Sequence, residues 1–361
     1  AKKIDSSIPI FAHLTFTESG RTLTGSDPLT GFNVLSGLGA HFIGMNCGLG
    51  PQEMGTLMEK INQHIATPIV IQANAGLPQL VNGQTLFTCP PHEYVDQLKS
   101  VVKQGVNIIG GCCGTTPEFI KQMVEQFQKT KPKPFTQNQP QEIILSSLST
   151  SVFIGKKYPF VKIGEKINPS ALKKVAQDLR TKQTSQIKEV ALEQEKAGAQ
   201  VLDINFGLAG INEEEAFKNI VPQLASFSKL PFCIDTTHPL ALETALKLYP
   251  GRALINSISG EEERLNTILP LMKKYGAYAI LLPLNEEGIP DSVQGRLNII
   301  QEILKKAQEF GVPSYAFIVD ALVMTVSASP HFSPLSLQTI QEAYTQFGLS
   351  STCGLSNISF G

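Results

Sequence analysis

Gly110-Gly111-Cys112-Cys113-Gly114-Thr115-Thr116-Pro117 sets two adjacent thiols between an apolar run and the start of a helix. Val106-Asn107-Ile108-Ile109 reads as a short buried strand, and Thr116-Pro117-Glu118 supplies an N-cap, a proline at N1 and an acid in the first turn. A third thiol, Cys47, closes the strand-like run Phe42-Ile43-Gly44-Met45-Asn46, which leads through Gly48-Leu49-Gly50-Pro51 into another helix. In a (β/α) barrel the C-terminal ends of such strands meet at one mouth, which makes Cys47 the natural third partner. Three thiolates with an open fourth position are a donor set for catalytic zinc, since structural sites are closed by four protein ligands. A substrate thiol in that position loses its proton near neutral pH and becomes an acceptor for an alkyl group. Spacing alone leaves a vicinal disulfide and a pair of inert buried cysteines as alternatives, because no CxxC pair supports a metal.

A second set of polar residues recurs with the pitch of strand and helix. Strands are predicted at 161–164, 201–204, 232–234, 253–255, 277–282, 315–319 and 351–355. The residues at or just past their ends are Glu165, Asp203 with Asn205, Asp235, Asn256, Asn285, Asp320 and Asn357. A ring of carboxylates and carboxamides at one barrel mouth describes a pocket for a flat, polar heterocycle. A pterin fits, because one carboxylate can accept its adjacent N–H donors while an Asn amide both donates and accepts at the remaining edge. Asp and Asn also favour turns and N-caps, which is the plainer account of any single position.

The intervening sequence supplies the helices that position these ends. Ile187, Val190, Ala191, Gln194 and Ala197 form a mostly apolar stripe ending at Gly198. Asn212 with Glu215 resembles a capping box, and Leu297, Ile300, Ile303, Leu304 and Ala307 form a stripe stopped by Gly311 and Pro313. Seven such units predict a barrel lacking its last strand and helix. Toward the start, strands at 8–15, 41–47, 68–73 and 106–111 with helices at 52–64, 91–103 and 117–128 give only four units, half of the eight a barrel needs. Residue 1 is not Met. The expectation is therefore an α/β chain with two (β/α)8 TIM barrels in tandem, taken from a longer reading frame, the first represented by its C-terminal half. The expected domains are 1–130, a linker at 131–150 centred on the basic, proline-rich run from Lys129 to Pro140, and 151–361.

Composition narrows the classes. The 361 residues carry a net charge of −1, which gives no reason to expect nucleic acid or an anionic membrane as partner, and the lysines at 129–133 lack interleaved aromatics or arginines. No apolar run approaches a membrane span and no signal peptide is evident, so a cytoplasmic enzyme is expected. Six cysteines are too sparse for a disulfide scaffold, and Cys89, Cys233 and Cys353 read as small buried or half-buried residues. His13, His41, His64, His92, His238 and His331 share no spacing and read as surface or structural, with His238, close after Asp235, the one of interest.

The Gly-Gly-Cys-Cys-Gly-Thr-Thr-Pro run, Asn46-Cys47, Gln72-Ala73-Asn74-Ala75-Gly76 and Gly20-Arg21-Thr22-Leu23-Thr24-Gly25 together resemble the homocysteine S-methyltransferase domain over residues 1 to 130. The resemblance implies Cys47, Cys112 and Cys113 as zinc ligands and homocysteine sulfur as the fourth. It makes Asn74 a candidate neighbour of metal or substrate, beside its equally plain reading as a turn residue before Gly76. Gly164-Glu165-Lys166-Ile167-Asn168-Pro169, Val201-Leu202-Asp203-Ile204-Asn205, Ile234-Asp235-Thr236-Thr237, Ile255-Asn256-Ser257-Ile258-Ser259 and Gly354-Leu355-Ser356-Asn357-Ile358-Ser359 resemble the pterin-binding, methyltetrahydrofolate-dependent domain of the cobalamin-dependent methionine synthase family. By that resemblance Asp235, Asn256 and Asp320 hold the pterin ring, Asn357 approaches N5, and Glu165, Asp203 and Asn205 are further contacts or supports. Lys166 stands where the family more often has Arg, and Thr236 where it more often has Ser; a lysine cannot copy a bidentate arginine contact.

The implied reaction moves a methyl group from 5-methyltetrahydrofolate to homocysteine through cob(I)alamin, carried on a cobalamin-binding domain or corrinoid protein that nothing in this sequence matches. The methyl leaves N5 only if that nitrogen is protonated or strongly hydrogen-bonded, and proton delivery through the Asn357 contact or a water is expected. Rival readings are a zinc methyltransferase using betaine or S-methylmethionine, a non-catalytic folate- or corrinoid-docking module, and a dihydropteroate-synthase-like condensation. The first leaves the pterin ring unused and the last leaves the thiols unused.

Overall fold

The computed structural model describes residue 5 and residues 7–61, 63–131, 142–327, 329 and 332–359. The chain divides into two compact units, Ala1–Pro140 and Gln141–Gly361.

The first unit runs β1 (Phe11–Leu14), α1 (Pro28–Gly37), β2 (Phe42–Asn46), α2 (Pro51–Glu59), β3 (Ile69–Ala73), β4 (Pro78–Val81), β5 (Gln84–Phe87), α3 (Pro91–Lys103), β6 (Ile108–Gly111) and α4 (Pro117–Phe127). Strands β1, β2, β3 and β6 form one parallel sheet in that order, half the strand count of a (β/α)8 barrel. Ile43, Met45, Ile69, Ile71 and Ala73 are buried in the core, where Tyr94, Leu98, Phe119 and Met123 of the covering helices join them. Two elements were not anticipated. Helix α1 starts with the Asp27 side chain accepting the Thr30 amide at 2.8 Å and with proline at N1. The β4–β5 hairpin turns on Asn82 and Gly83, both at positive φ, and exposes Leu80 and Leu86, so no burial alternation marks it in the sequence. The helix expected at 52–64 ends at Glu59.

The second unit opens with a hairpin, β7 (Ile143–Ser146) and β8 (Ser151–Ile154). Residues 143–146 were expected in the linker; instead Ile143, Ile144 and Leu145 are buried, and Ser146 exchanges backbone bonds of 3.1 and 2.8 Å with Arg252. The linker residues 132–141 lie outside the described residues. There follow β9 (Ile163–Ile167), α5 (Lys173–Thr181), α6 (Ser185–Lys196), β10 (Val201–Asn205), α7 (Glu213–Phe227), β11 (Phe232–Asp235), α8 (Pro239–Leu248), β12 (Leu254–Ile258), α9 (Glu262–Tyr275), β13 (Tyr278–Leu281), α10 (Val293–Glu309), β14 (Phe317–Asp320), α11 (Phe332–Phe347) and β15 (Ser350–Thr352), then a 3-10 turn at Leu355–Ser359. Strands β9 to β15 form a seven-stranded parallel sheet in sequence order. It curls far enough for Ser356 Oγ, past the last strand, to donate to Glu165 Oε1 on the first at 2.9 Å. The expected helix stripes are buried: α10 contributes Leu297, Ile300, Ile303 and Leu304, each worth about 1.5–3 kcal/mol when fully buried. Gly198 and Gly311, both at positive φ, follow α6 and α10 as the stop signals require. Among the described residues no helix is long and apolar enough to cross a membrane.

Candidate functional site

Two groups of side chains lie at the C-terminal ends of the two parallel sheets. In the first unit, Cys47 follows β2 with φ of +59°, a left-handed conformation that costs a non-glycine residue about 1–2 kcal/mol. Its amide donates to Gln72 O at 3.1 Å. Cys112 and Cys113 follow β6, and Asn74 at the end of β3 pins their loop: its Oδ1 accepts the Cys113 amide at 3.1 Å while the Ala75 amide donates to Cys113 O at 2.9 Å. Asn74 is buried, and the Gly76 amide donates back to its carbonyl at 2.8 Å, so it is both a turn residue and a support of the thiol loop. Gly114 is required here by close approach as well as by its φ of +80°, since a Cβ would stand 2.5 Å from the Phe87 side chain of β5.

The sulfurs converge. Cys47 Sγ is 3.5 Å from Cys113 Sγ, Cys112 Sγ is 4.0 Å from Cys113 Sγ, and all three lie within 4.8 Å of one another. A disulfide needs about 2.05 Å, so neither pair is bonded. Zn–S bonds of about 2.3 Å make a tetrahedral edge of about 3.8 Å, which this spacing brackets. Burial opposes the Cys47 thiolate, but the Cys113 thiol, the Gly48 amide, Cys112 and Asn74 outweigh it and lower its pKa, whereas the bond to Cys47, with burial and the neighbouring sulfurs, pushes Cys113 up to about 11. Thiols crowded this closely oppose one another's ionisation, a repulsion that a divalent cation would relieve.

In the second unit, Asn205, Asp235 and Asn256 occupy one register row across β10, β11 and β12. Asn205 Nδ2 donates to Asp235 Oδ2 at 2.8 Å, and Asn256 Nδ2 donates to Asp203 Oδ1 at 3.2 Å. Glu165 and Asn256 sit inside their strands rather than past the ends expected at 164 and 255, because β9 runs on to Ile167 and β12 to Ile258; Asp203 lies within β10, as its expected span has it. Asp320 ends β14, and its Oδ1 accepts the Leu322 amide at 2.9 Å. Asn357 is exposed on the 3-10 turn after β15, beside Ser356, which contacts Glu165. Asn285 instead closes a tight turn, its Oδ1 accepting the Glu287 amide at 3.0 Å, so the turn reading accounts for that position.

Carboxylates crowd this mouth. Burial, then the charge of Asp235, pushes Asp203 up to about 7. Burial raises Asp235 against the lowering bond from Asn205, with the Glu213 charge adding to the rise, and burial raises Asp320 against the Leu322 amide. Each has something to gain from a ligand that presents N–H donors. Two supports escaped the sequence reading. Glu213, at the start of α7, accepts Thr236 Oγ1 at 2.6 Å and faces His238 Nε2 at 3.4 Å, and Arg264 donates to the carbonyls of Thr237 and Ser257, tying the loop after β11 to the end of β12. Neither is signalled by spacing, because both reach across to another βα unit. Of the other histidines, His41 Nδ1 accepts the Ile10 amide at 2.9 Å, as a structural residue would; His331 lies outside the described residues. Cys233 is buried and Cys89 half-buried, but Cys353 is exposed, against expectation.

Comparison with known proteins follows the same division. A family model described as homocysteine S-methyltransferase matches residues 1–127, and one described as pterin binding enzyme matches residues 167–361. Methionine synthases of Mycobacterium leprae (strain TN) and Mycobacterium tuberculosis (strain ATCC 25618 / H37Rv) are each 28% identical over 98% of this chain. The chain spans 31% and 30% of their lengths. Among solved structures, a Yersinia pestis DHPS with a pterine-sulfa conjugate is 19% identical, covers 59% of this chain and 77% of its own, and has a TM-score of 0.43. The chain therefore belongs to the pterin binding enzyme family, with a homocysteine S-methyltransferase domain preceding the pterin-binding domain.

Proposed function

We propose that this chain catalyses methyl transfer from 5-methyltetrahydrofolate, through a cob(I)alamin carrier, to the thiolate of homocysteine held on zinc, giving methionine and tetrahydrofolate. The observation that carries this reading is the presence on one chain of a three-sulfur cluster within 4.8 Å and, in the other unit, a bonded row of carboxamides and carboxylates. Either site alone fits several reactions; together they fit a methyl donor and a thiol acceptor.

Cys47, Cys112 and Cys113 would hold zinc, whose positive charge, when bound, lets a substrate thiol exist as thiolate at neutral pH. Asn74 holds the Cys113 loop still through its buried side chain. In the second unit Asp235, Asn256 and Asp320 bind the pterin ring edge, while Asp203 and Asn205 fix the rotamers of Asn256 and Asp235 by direct bonds. Glu165 anchors the turn that carries Asn357 through Ser356. Asn357 approaches N5: as the N5–methyl bond breaks, the nitrogen takes up a proton, and the Asn357 amide orients the donor or a water that delivers it. A cobalamin-binding domain or separate corrinoid protein would supply the carrier.

The test is anaerobic methyl transfer from 5-methyltetrahydrofolate to added cob(I)alamin, followed by absorbance. Transfer by the full chain that falls at least about 100-fold in Asn357→Ala, with tetrahydrofolate binding retained, is expected. No transfer by a folded chain that binds tetrahydrofolate would overturn the methyl-donor assignment.

A further inference from the structure

We infer that the Tyr94 hydroxyl is a brace that sets the spacing of the three-thiol cluster, so that Tyr94 is a positioning residue for the metal; the inference rests on the zinc reading above. Tyr94 lies on α3, is fully buried, and meets the Phe119 ring of α4 edge-on at a centroid distance of 5.2 Å. Its Oη stands 3.1 Å from Ala73 O on β3 and 2.9 Å from Gly110 O on β6, one phenolic proton shared between two strands.

Both carbonyls adjoin the cluster. Ala73 O also accepts the Cys112 amide at 2.7 Å, and the next residue, Asn74, accepts the Cys113 amide. Gly110 stands two residues before Cys112. Cys47 is referred to the same central strand, because its amide donates to Gln72 O. Strand β3 is thus the frame shared by both cysteine-bearing loops, and the last register pair joining it to β6 is Ala73 with Gly111. Tyr94 ties the two strands at that point from the helix side. A phenylalanine would fill the same space, so packing does not account for the oxygen; what the oxygen adds is a fixed separation of two strand ends whose loops must bring sulfurs to about 3.8 Å.

The test is Tyr94→Phe in the full chain. Zinc affinity is measured by competition with a chromophoric chelator, cobalt substitution reports the thiolate charge-transfer bands, and thermal unfolding is followed in the metal-free protein. The expected result is zinc binding weakened about 10- to 100-fold, with altered cobalt bands. Phe119→Leu, which loosens the ring but keeps the hydroxyl, should leave zinc affinity within about threefold of the unaltered chain. Unchanged affinity in Tyr94→Phe, or an equal loss in Phe119→Leu, would overturn the brace. Failure of the unaltered chain to bind zinc at all would overturn the zinc reading, and the brace with it.

Discussion

Asp203 is a carboxylate whose surroundings disfavour its charge, and that has a definite consequence for stability. Its pKa of about 7 in the folded chain stands above the ordinary 3.8, so between those values the folded chain keeps a proton that the unfolded chain has lost. The stability linked to this group is complete below about pH 4 and is lost as pH rises through about 7. Asp203→Asn keeps an acceptor for Asn256 and removes the buried charge. Relative to the unaltered chain it should gain little at pH 4.5 and about 1–3 kcal/mol at pH 8 in urea unfolding; a difference that does not change with pH would contradict this. The thiols have the opposite dependence on acid. They must deprotonate to bind a metal, so zinc affinity should fall steadily below neutral pH, and Cys113→Ser should lose at least about 100-fold at any pH, as read by chelator competition. Burial raises Asp235 and Asp320 as well; in the proposed site each accepts pterin N–H groups best when ionised, so tetrahydrofolate binding is expected to weaken as falling pH protonates them.

At the scale of elements, loops beyond the strand ends decide whether the sites form. Gly114 sits at φ of +80° with Phe87 of the β4–β5 hairpin against it. Gly114→Ala is therefore expected to cost about 1–3 kcal/mol in the first unit and to weaken zinc binding by moving the Cys112-Cys113 loop, and wild-type zinc affinity in that variant would show the loop to be tolerant. The same hairpin marks where the residues were hard to read. Its strands are mostly exposed, so nothing in their pattern distinguishes them from a loop, although Asn82-Gly83 is a hairpin turn pair. Helix α1 was missed for a related reason: Gly31 and Gly37 dilute its stripe, leaving only Asp27-Pro28 as a signal. Strands buried on both faces, such as β10 and β11, were readable because their apolar runs end in Asn205 and Asp235. The three cysteines and the row of Asp and Asn could be named from the sequence because their residue types carry the chemistry. Glu213, Arg264 and Tyr94 could not, since each acts on a partner from another element.

For the whole molecule, each unit has its own hydrophobic core, one built around β2, β3 and the helices that cover them, the other around β10 to β14. Ligand effects on stability should therefore be separable: chelation of zinc lowers one thermal transition and tetrahydrofolate raises another, the size of each following ligand concentration over Kd. The proposed reaction needs more than two binding sites, because in it a methyl group leaves one and arrives at the other. The most direct measurement is a chase of isotope-labelled methyl from 5-methyltetrahydrofolate, with the full chain, zinc, homocysteine and reduced cobalamin present, and label followed into methionine. Label is expected in methionine, lost in Cys113→Ser while methylation of cob(I)alamin persists, and lost at both stages in Asn357→Ala. Zinc-loaded chain that binds tetrahydrofolate yet delivers no label to methionine would contradict the proposed methyl transfer.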